Sequence, residues 1–239
     1  MNNLLFIAFN RPDLTRTSLG TLLELEWDNI AVYVDGPRTE SEKGVVKETA
    51  TVIRELTREL NHVHITERLT NWGCRRNVAN AVNQFFSTYG AGWVFEDDIK
   101  IFDPNALKDL RANWTKQGHL ALYGNQPTSP EVTETTNNGH YPIWGWYLSF
   151  ARAPQFNGLS IFKVFQRSIS TRGIIGGLRF MWVYIKTLLG ILDTWDSIYT
   201  AWCLSNKVRC YTATQKIIEN IGFDERATHT KKIPKDYPL

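Results

Sequence analysis

The amino-acid sequence predicts an α/β protein in which a central, mostly parallel sheet is flanked by helices. Short apolar runs recur with helical-period segments between them, the pattern of a sheet covered on its faces. Turn-forming residues close the runs, and several of those turns carry charged or amide side chains. No repeat, low-complexity tract or long linker divides the 239 residues. A single domain over 1–239 is therefore expected, with about 1–103 and about 104–239 as its two halves.

The first strand is Leu4 to Phe9, followed by the turn Asn10-Arg11-Pro12-Asp13 and a helix through Leu14, Leu19, Leu22 and Leu23. Ile30 to Val34 is the second strand, ended by Asp35-Gly36-Pro37-Arg38. A helix over Val45 to Leu60 leads to a third short strand, Val63 to Ile65, flanked by His62 and His64 in structural roles. Asn71-Trp72-Gly73 turns the chain into a helix from about Cys74 to Tyr89, where Val78, Ala81, Val82, Phe85 and Phe86 fall at helical spacing. Trp93 to Phe95 is the fourth strand, closed by Glu96-Asp97-Asp98. A helix after Asp103-Pro104 reaches about Trp114, and Leu120 to Tyr123 is a fifth strand. Residues 127–140, rich in Pro, Thr, Asn and Gly, read as a loop. Beyond them Tyr141 to Tyr147 is aromatic and extended. Helices follow at about 157–168, 177–190 and 195–206, with a late strand near Arg209 to Thr212.

Composition narrows the function classes. Hydrophobic content of 43% and charged content of 21% fit a folded chain, and a net charge of +3 is too mild to point to nucleic acid. The three cysteines, Cys74, Cys203 and Cys210, form no CxxC pair, which argues against a zinc knuckle or disulfide framework and for reducing cytosol. The apolar N-terminal run lacks the basic flank and length of a signal peptide. The stretch 174–192 is apolar but interrupted by Arg179 and Lys186, so it reads as core or partner packing, with peripheral contact at the inner face of a membrane as the alternative.

In open α/β sheets ligands sit outside the carboxyl ends of the strands. The segments Asn10-Arg11, Asp35-Gly36, Thr66-Glu67-Arg68 and Glu96-Asp97-Asp98 all follow strands and gather along one edge. Clustered carboxylates are costly to bury unless a cation or hydrogen-bond donors meet them, and hard cations such as Mn²⁺ or Mg²⁺ suit oxygen ligands that also bridge to phosphates. The bland alternative is a solvated acidic turn. Asp35 is placed to accept hydrogen bonds from a base or ribose, or simply to start a turn. Arg75 and Arg76 stand in the first turn of a helix, where cations disfavour the helix itself but suit a phosphate.

These motifs together, Phe9-Asn10-Arg11-Pro12, Val34-Asp35-Gly36, Asn71-Trp72-Gly73 with Arg75-Arg76-Asn77, and Val94-Phe95-Glu96-Asp97-Asp98-Ile99, resemble the GT-A family of nucleotide-sugar-dependent glycosyltransferases. The acidic triplet is similar to the Glu-Asp-Asp form of the DXD motif in the N-acetylglucosaminyltransferase I branch. In the second half Trp144-Gly145-Trp146 resembles a segment lining donor sugar and acceptor, and Thr194-Trp195-Asp196 one that carries a catalytic base. Asn220 to Phe223 and Ala227 to Thr230 resemble a loop closing over the diphosphate.

The resemblance implies a metal-dependent transferase acting on a nucleoside-diphosphate sugar, a UDP-sugar being favoured, with a glycan or lipid-linked glycan as acceptor. Phe9, Asn10, Arg11 and Asp35 would meet the base, and Arg75 and Arg76 the phosphates. Asp98, with His229, would hold the metal, while Glu96 and Asp97 order the base, sugar or metal waters, and Trp144, Gly145 and Trp146 line the sugar. Asp196 would act as the inverting base, Asp193 being its competitor and a helix cap the structural role open to that segment. A nucleotidyltransferase or a non-catalytic carbohydrate-binding module are the rival classes, the latter suggested by nine tryptophans.

Overall fold

The computed structural model describes residues 2–122 and 132–223. The expectations for Tyr123, residues 127–131 and the segment around His229 lie outside them. An eight-stranded mixed sheet forms the centre, built from β1 (Asn3–Ala8), β2 (Asn29–Val34), β3 (Val63–Glu67), β4 (Ala91–Glu96), β6 (Gly118–Ala121), β7 (Val132–Glu134), β8 (Trp146–Ser149) and β9 (Cys210–Ala213). Their order is β3-β2-β1-β4-β8-β6-β9-β7. The pairs β1/β2, β2/β3, β1/β4 and β6/β9 are parallel, whereas β8 runs antiparallel to both β4 and β6, and β7 antiparallel to β9. A separate two-stranded ribbon pairs β5 (Ile99–Ile101) with β10 (Ile218–Asn220).

The alternation of side chains along a strand divides the core into two layers. Leu5 and Ile7 of β1 pack with α3 (Gly73–Tyr89), α5 (Ile161–Leu188) and α6 (Asp196–Asn206) on one face. Leu4, Phe6 and Ala8 pack with α1 (Pro12–Leu23), α2 (Lys43–Thr57) and α4 (Pro104–Asn113) on the other. Every residue of β1 is buried, as a central strand covered on both faces requires, which is why it reads as an unbroken apolar run.

Two features position the site. The reversed strand β8 is inserted between β4 and β6, so its leading residues Trp144 and Gly145 arrive at the same sheet edge as the end of β4. Asp35 at the end of β2 is fastened to the turn before α3: its carboxylate accepts from the Trp72 amide at 2.9 Å and the Asn71 side chain at 3.1 Å. Gly36 permits this approach, since a Cβ there would lie 2.4 Å from the carbonyl carbon of Thr70.

The expected order of elements holds through β4, with ends shifted by up to three residues. The expected loop at 127–140 contains the short strand β7 and a 3₁₀ turn over Thr136–Asn138. The expected helices at 157–168 and 177–190 are the two arms of α5, which breaks at Gly173, where φ is 70° and ψ 172°.

Candidate functional site

A cleft of about 980 Å³ opens at the carboxyl edge of β1, β2 and β4, where the first half of the chain meets the segments around residues 140–144, 193–197 and 220–223. Of the residues expected at the site, Phe9, Arg11, Asp35, Glu96, Asp97, Asp98, Trp144 and Asp196 line it. Asn10 does not, because its side chain turns to Glu42 at 3.3 Å. Arg75 and Arg76 also stay outside the lining: the Arg75 guanidinium donates to the carbonyl of Thr187, and Arg76 lies over the Trp72 ring at 4.0 Å. Gly145 sits behind the wall, where its φ of +59° carries the chain past Phe95. Trp146 is fully buried in the core among Phe86, His119, Trp195 and Tyr199. His229 lies beyond the described residues.

The acidic floor has a clear internal division. Asp97 is buried, bonded to the Arg11 guanidinium and to the Phe9 amide at 3.3 Å. It ties the end of β1 to the end of β4. Asp98 meets Arg11 at 3.3 Å, and its carbonyl accepts from Ile221 at 2.7 Å. Glu96 accepts a hydrogen bond from Trp195, and its carboxyl is pushed up to about 8 by burial and by the nearby Asp98 and Asp97 charges. Burial raises Asp98 as well, with Arg11 opposing and Asp97 adding to the shift. With the Glu96 carboxyl raised to about 8 and so largely protonated at neutral pH, Asp97 and Asp98 against one guanidinium leave one negative charge uncompensated at this corner.

Asp193 has a role that the sequence pattern did not disclose. Its carboxylate accepts from the backbone amides of Cys74 at 3.0 Å and Arg75 at 2.9 Å, capping α3. An anion there matches the positive end of the helix dipole, so this acid occupies the position expected for a phosphate. A Cβ on Gly73 would fall 2.7 Å from Asp193 Oδ2, and φ at Gly73 is +77°. Asp196 begins α6 and faces the cleft, with one oxygen, Oδ1, accepting from Thr194 and from the Ser197 amide at 2.6 Å. His140, Arg172 and Arg179 are further lining residues that sequence reasoning passed over or set aside. Burial and Arg172 lower the His140 pKa, with Asp196 opposing.

Comparison with known proteins adds structural likenesses. No protein-family model matches the chain, and no curated protein matches it. Among solved structures it is similar to a mannosyltransferase from Pyrobaculum calidifontis in complex with GDP-Man and Mn²⁺, at 12% identity and a TM-score of 0.39, over 52% of this chain and 35% of that one. It is also similar to a UDP-glucose pyrophosphorylase complexed with UDP-glucose, at 10% identity and a TM-score of 0.46, over 91% of each chain. The apo form of mouse xyloside xylosyltransferase 1 matches at 10% identity and a TM-score of 0.40, over 86% of this chain and 82% of that one.

Proposed function

We propose that the chain is a GT-A-type glycosyltransferase that moves a sugar from a nucleoside-diphosphate sugar, a UDP-sugar being favoured, to an acceptor hydroxyl. The observation that carries this reading is the shared cleft, in which a strand-end acid corner and a separate acid, Asp196, line one cavity together with the aromatic rings of Phe9 and Trp144.

The corner's donor set fits a divalent cation: hard carboxyl oxygens with one uncompensated charge, and a second released as a bound cation displaces the Glu96 proton, suit Mn²⁺ or Mg²⁺. Asp98 would hold it, and Glu96 would order its waters. Among the described residues no three acid, histidine or cysteine side chains converge into a metal shell; Asp98 would hold the ion together with water, phosphate oxygens and His229. Bound there, such an ion supplies Lewis-acid neutralisation of the departing diphosphate.

The chain's own residues do the rest. Arg11 fixes the corner through Asp97 and Asp98. Phe9, with Arg38 stacked at 4.9 Å, offers a ring for the base, and Asp35 flanks it. Asp196 takes the proton of the acceptor hydroxyl as that oxygen bonds to the anomeric carbon, and the bond from that carbon to the phosphate oxygen breaks with its electron pair leaving on the nucleoside diphosphate. Attack from the face opposite the leaving group gives inversion. Asp193, engaged in capping α3, is the weaker candidate for this proton transfer.

Incubation with labelled UDP-sugars, Mn²⁺ and glycan acceptors tests the assignment through the product. Release of nucleoside diphosphate with sugar on the acceptor is expected, and release of pyrophosphate would overturn it in favour of nucleotidyl transfer. Asp196→Asn is expected to remove turnover by about 10²-fold or more, as loss of a general base does. Near-wild-type turnover in that variant would remove Asp196 from the role.

A further inference from the structure

We infer that α5 is a membrane-docking element: its two arms lie flat on an anionic lipid surface, apolar side chains inserted and basic ones at the headgroups. The inference stands on the helix itself and does not require the proposed chemistry.

The second arm of α5 is apolar on two opposite faces. Gly177, Phe180, Met181, Tyr184 and Thr187 face the core and are buried. Ile175, Leu178, Trp182, Ile185 and Leu189 recur at alternating steps of three and four, which places them on one stripe on the other side. That stripe is exposed, Trp182 by 63% and Leu189 by 70%. The first arm adds Phe162 at 75%. The break at Gly173 folds the arms back on each other, with a Cβ on Gly177 falling 2.8 Å from Ile169 Cα. An exposed apolar stripe of this kind marks an interaction site rather than ordinary surface scatter.

Charge selects the occupant. Residues 151–192 contain six cations, Arg152, Lys163, Arg167, Arg172, Arg179 and Lys186, and no acid; Arg172 turns to the Gly139 carbonyl and the Phe180 ring, which leaves five for the surface. Arg179 and Lys186 fall beside the exposed stripe, four residues after Ile175 and Trp182, and the Lys186 ammonium lies 4.6 Å over the Trp182 ring. A second copy of this chain would set like charges against like charges across the contact. An anionic bilayer satisfies both the cations and the apolar stripe, the combination by which interfacial helices bind. Neither arm reaches the roughly 20 residues that spanning needs, and no helix of the described residues is long and apolar enough to cross a membrane. The element therefore lies on the bilayer.

Docking in this way brings the cleft to the lipid surface, because Arg179 and Val183 line the cleft as well. On the glycosyl-transfer reading, and resting on it, the acceptor is then lipid-borne.

Vesicle flotation of the full chain tests the docking without any activity assay. Binding is expected to vesicles of equimolar phosphatidylcholine and phosphatidylglycerol at low salt, and to fall at high salt. No binding to these vesicles at low salt would overturn the inference. Lys163→Gln, Arg167→Gln and Lys186→Gln are each expected to weaken binding about fivefold, and Trp182→Glu with Leu189→Glu to abolish it. These residues are outside the cleft lining, and melting of the variants checks that they fold. Vesicle binding unchanged in both sets would sink the proposal, as would a dimer that Trp182→Glu dissolves in a chain that ignores lipid.

Discussion

His119 shows how much of this protein's behaviour is decided by one enclosed side chain. It is fully buried, with Nδ1 at 2.9 Å from the Tyr199 hydroxyl and Nε2 at 2.8 Å from the Pro142 carbonyl. A carbonyl only accepts, so Nε2 carries the proton and donates to Pro142, while Nδ1 accepts from Tyr199. The neutral ring is thus satisfied on both sides, and burial lowers its pKa from 6.5 to about 3. The sign follows directly. Below 6.5 the unfolded chain binds a proton that the folded one refuses, so this contribution to stability is complete above 6.5 and is lost progressively as pH falls towards 3. Between pH 7 and pH 5 the loss is about 2 kcal/mol. Glu96, raised to about 8, acts in the opposite sense over this range, so urea unfolding of wild type and His119→Gln at both pH values isolates the His119 share: the variant should lose about 2 kcal/mol less, relative to wild type, on going from pH 7 to pH 5. An equal pH dependence in that variant would place the effect elsewhere.

At the scale of elements, two glycines of opposite context make the argument. Gly222 follows β10 in the turn that covers the acid corner, its amide donating to Asn220 at 2.8 Å. A Cβ there would stand 2.5 Å from Asp98 Cβ and 2.9 Å from Arg11 Nη1. Gly222→Ala must push this turn away from β4 or displace Asp98, at about 1–3 kcal/mol, and donor binding measured by calorimetry should weaken by about tenfold or more. Gly20 lies within α1 with nothing near the place of its Cβ. Gly20→Ala should instead stabilise by about 0.5–1 kcal/mol in the same unfolding assay. The contrast bears on what a sequence discloses. Strands β1, β2 and β4 are legible because burial on both faces writes an apolar run, and the acids that end β4 are legible because nothing in a fold asks for three of them. The ribbon of β5 and β10 is not legible, since each is three residues long and the partners lie over a hundred residues apart. The sequence leaves Asp193 open to proton transfer or to capping its own helix, and its contact with α3, a helix distant in the chain, is a role neither reading contains. Trp144 and Trp146 look alike in sequence. Trp146 enters β8 and the core, while Trp144, on the other side of the left-handed Gly145, stays at the cleft.

Across the whole molecule the cleft joins regions that the chain supplies far apart. Phe9, Arg11 and Asp98 come from the edge of the parallel strands, whereas Trp195, Asp196 and Gly222 come from the second half. Each core layer draws apolar residues from both halves of the chain, and at this edge polar links add to them: Trp195 to Glu96, Ile221 to Asp98, and Asp193 to α3. A donor bound across this seam contacts both halves, and it binds the native state alone. Its effect on stability is therefore a mass-action term, about 2.7 kcal/mol at a ligand concentration a hundredfold above the dissociation constant. For a domain of this size that corresponds to a rise in Tm of about 5–10 °C. A melting screen of UDP-sugars with and without Mn²⁺ should show such a rise only when both are present. Asp98→Asn should lose it, because the corner then lacks its metal-facing charge. Asp196→Asn should keep it, because in the proposed reaction that carboxylate acts on the acceptor and not on the donor. A rise that is independent of Mn²⁺, or that survives Asp98→Asn, would separate nucleotide binding from the acid corner and dissolve the division of labour on which the catalytic reading depends.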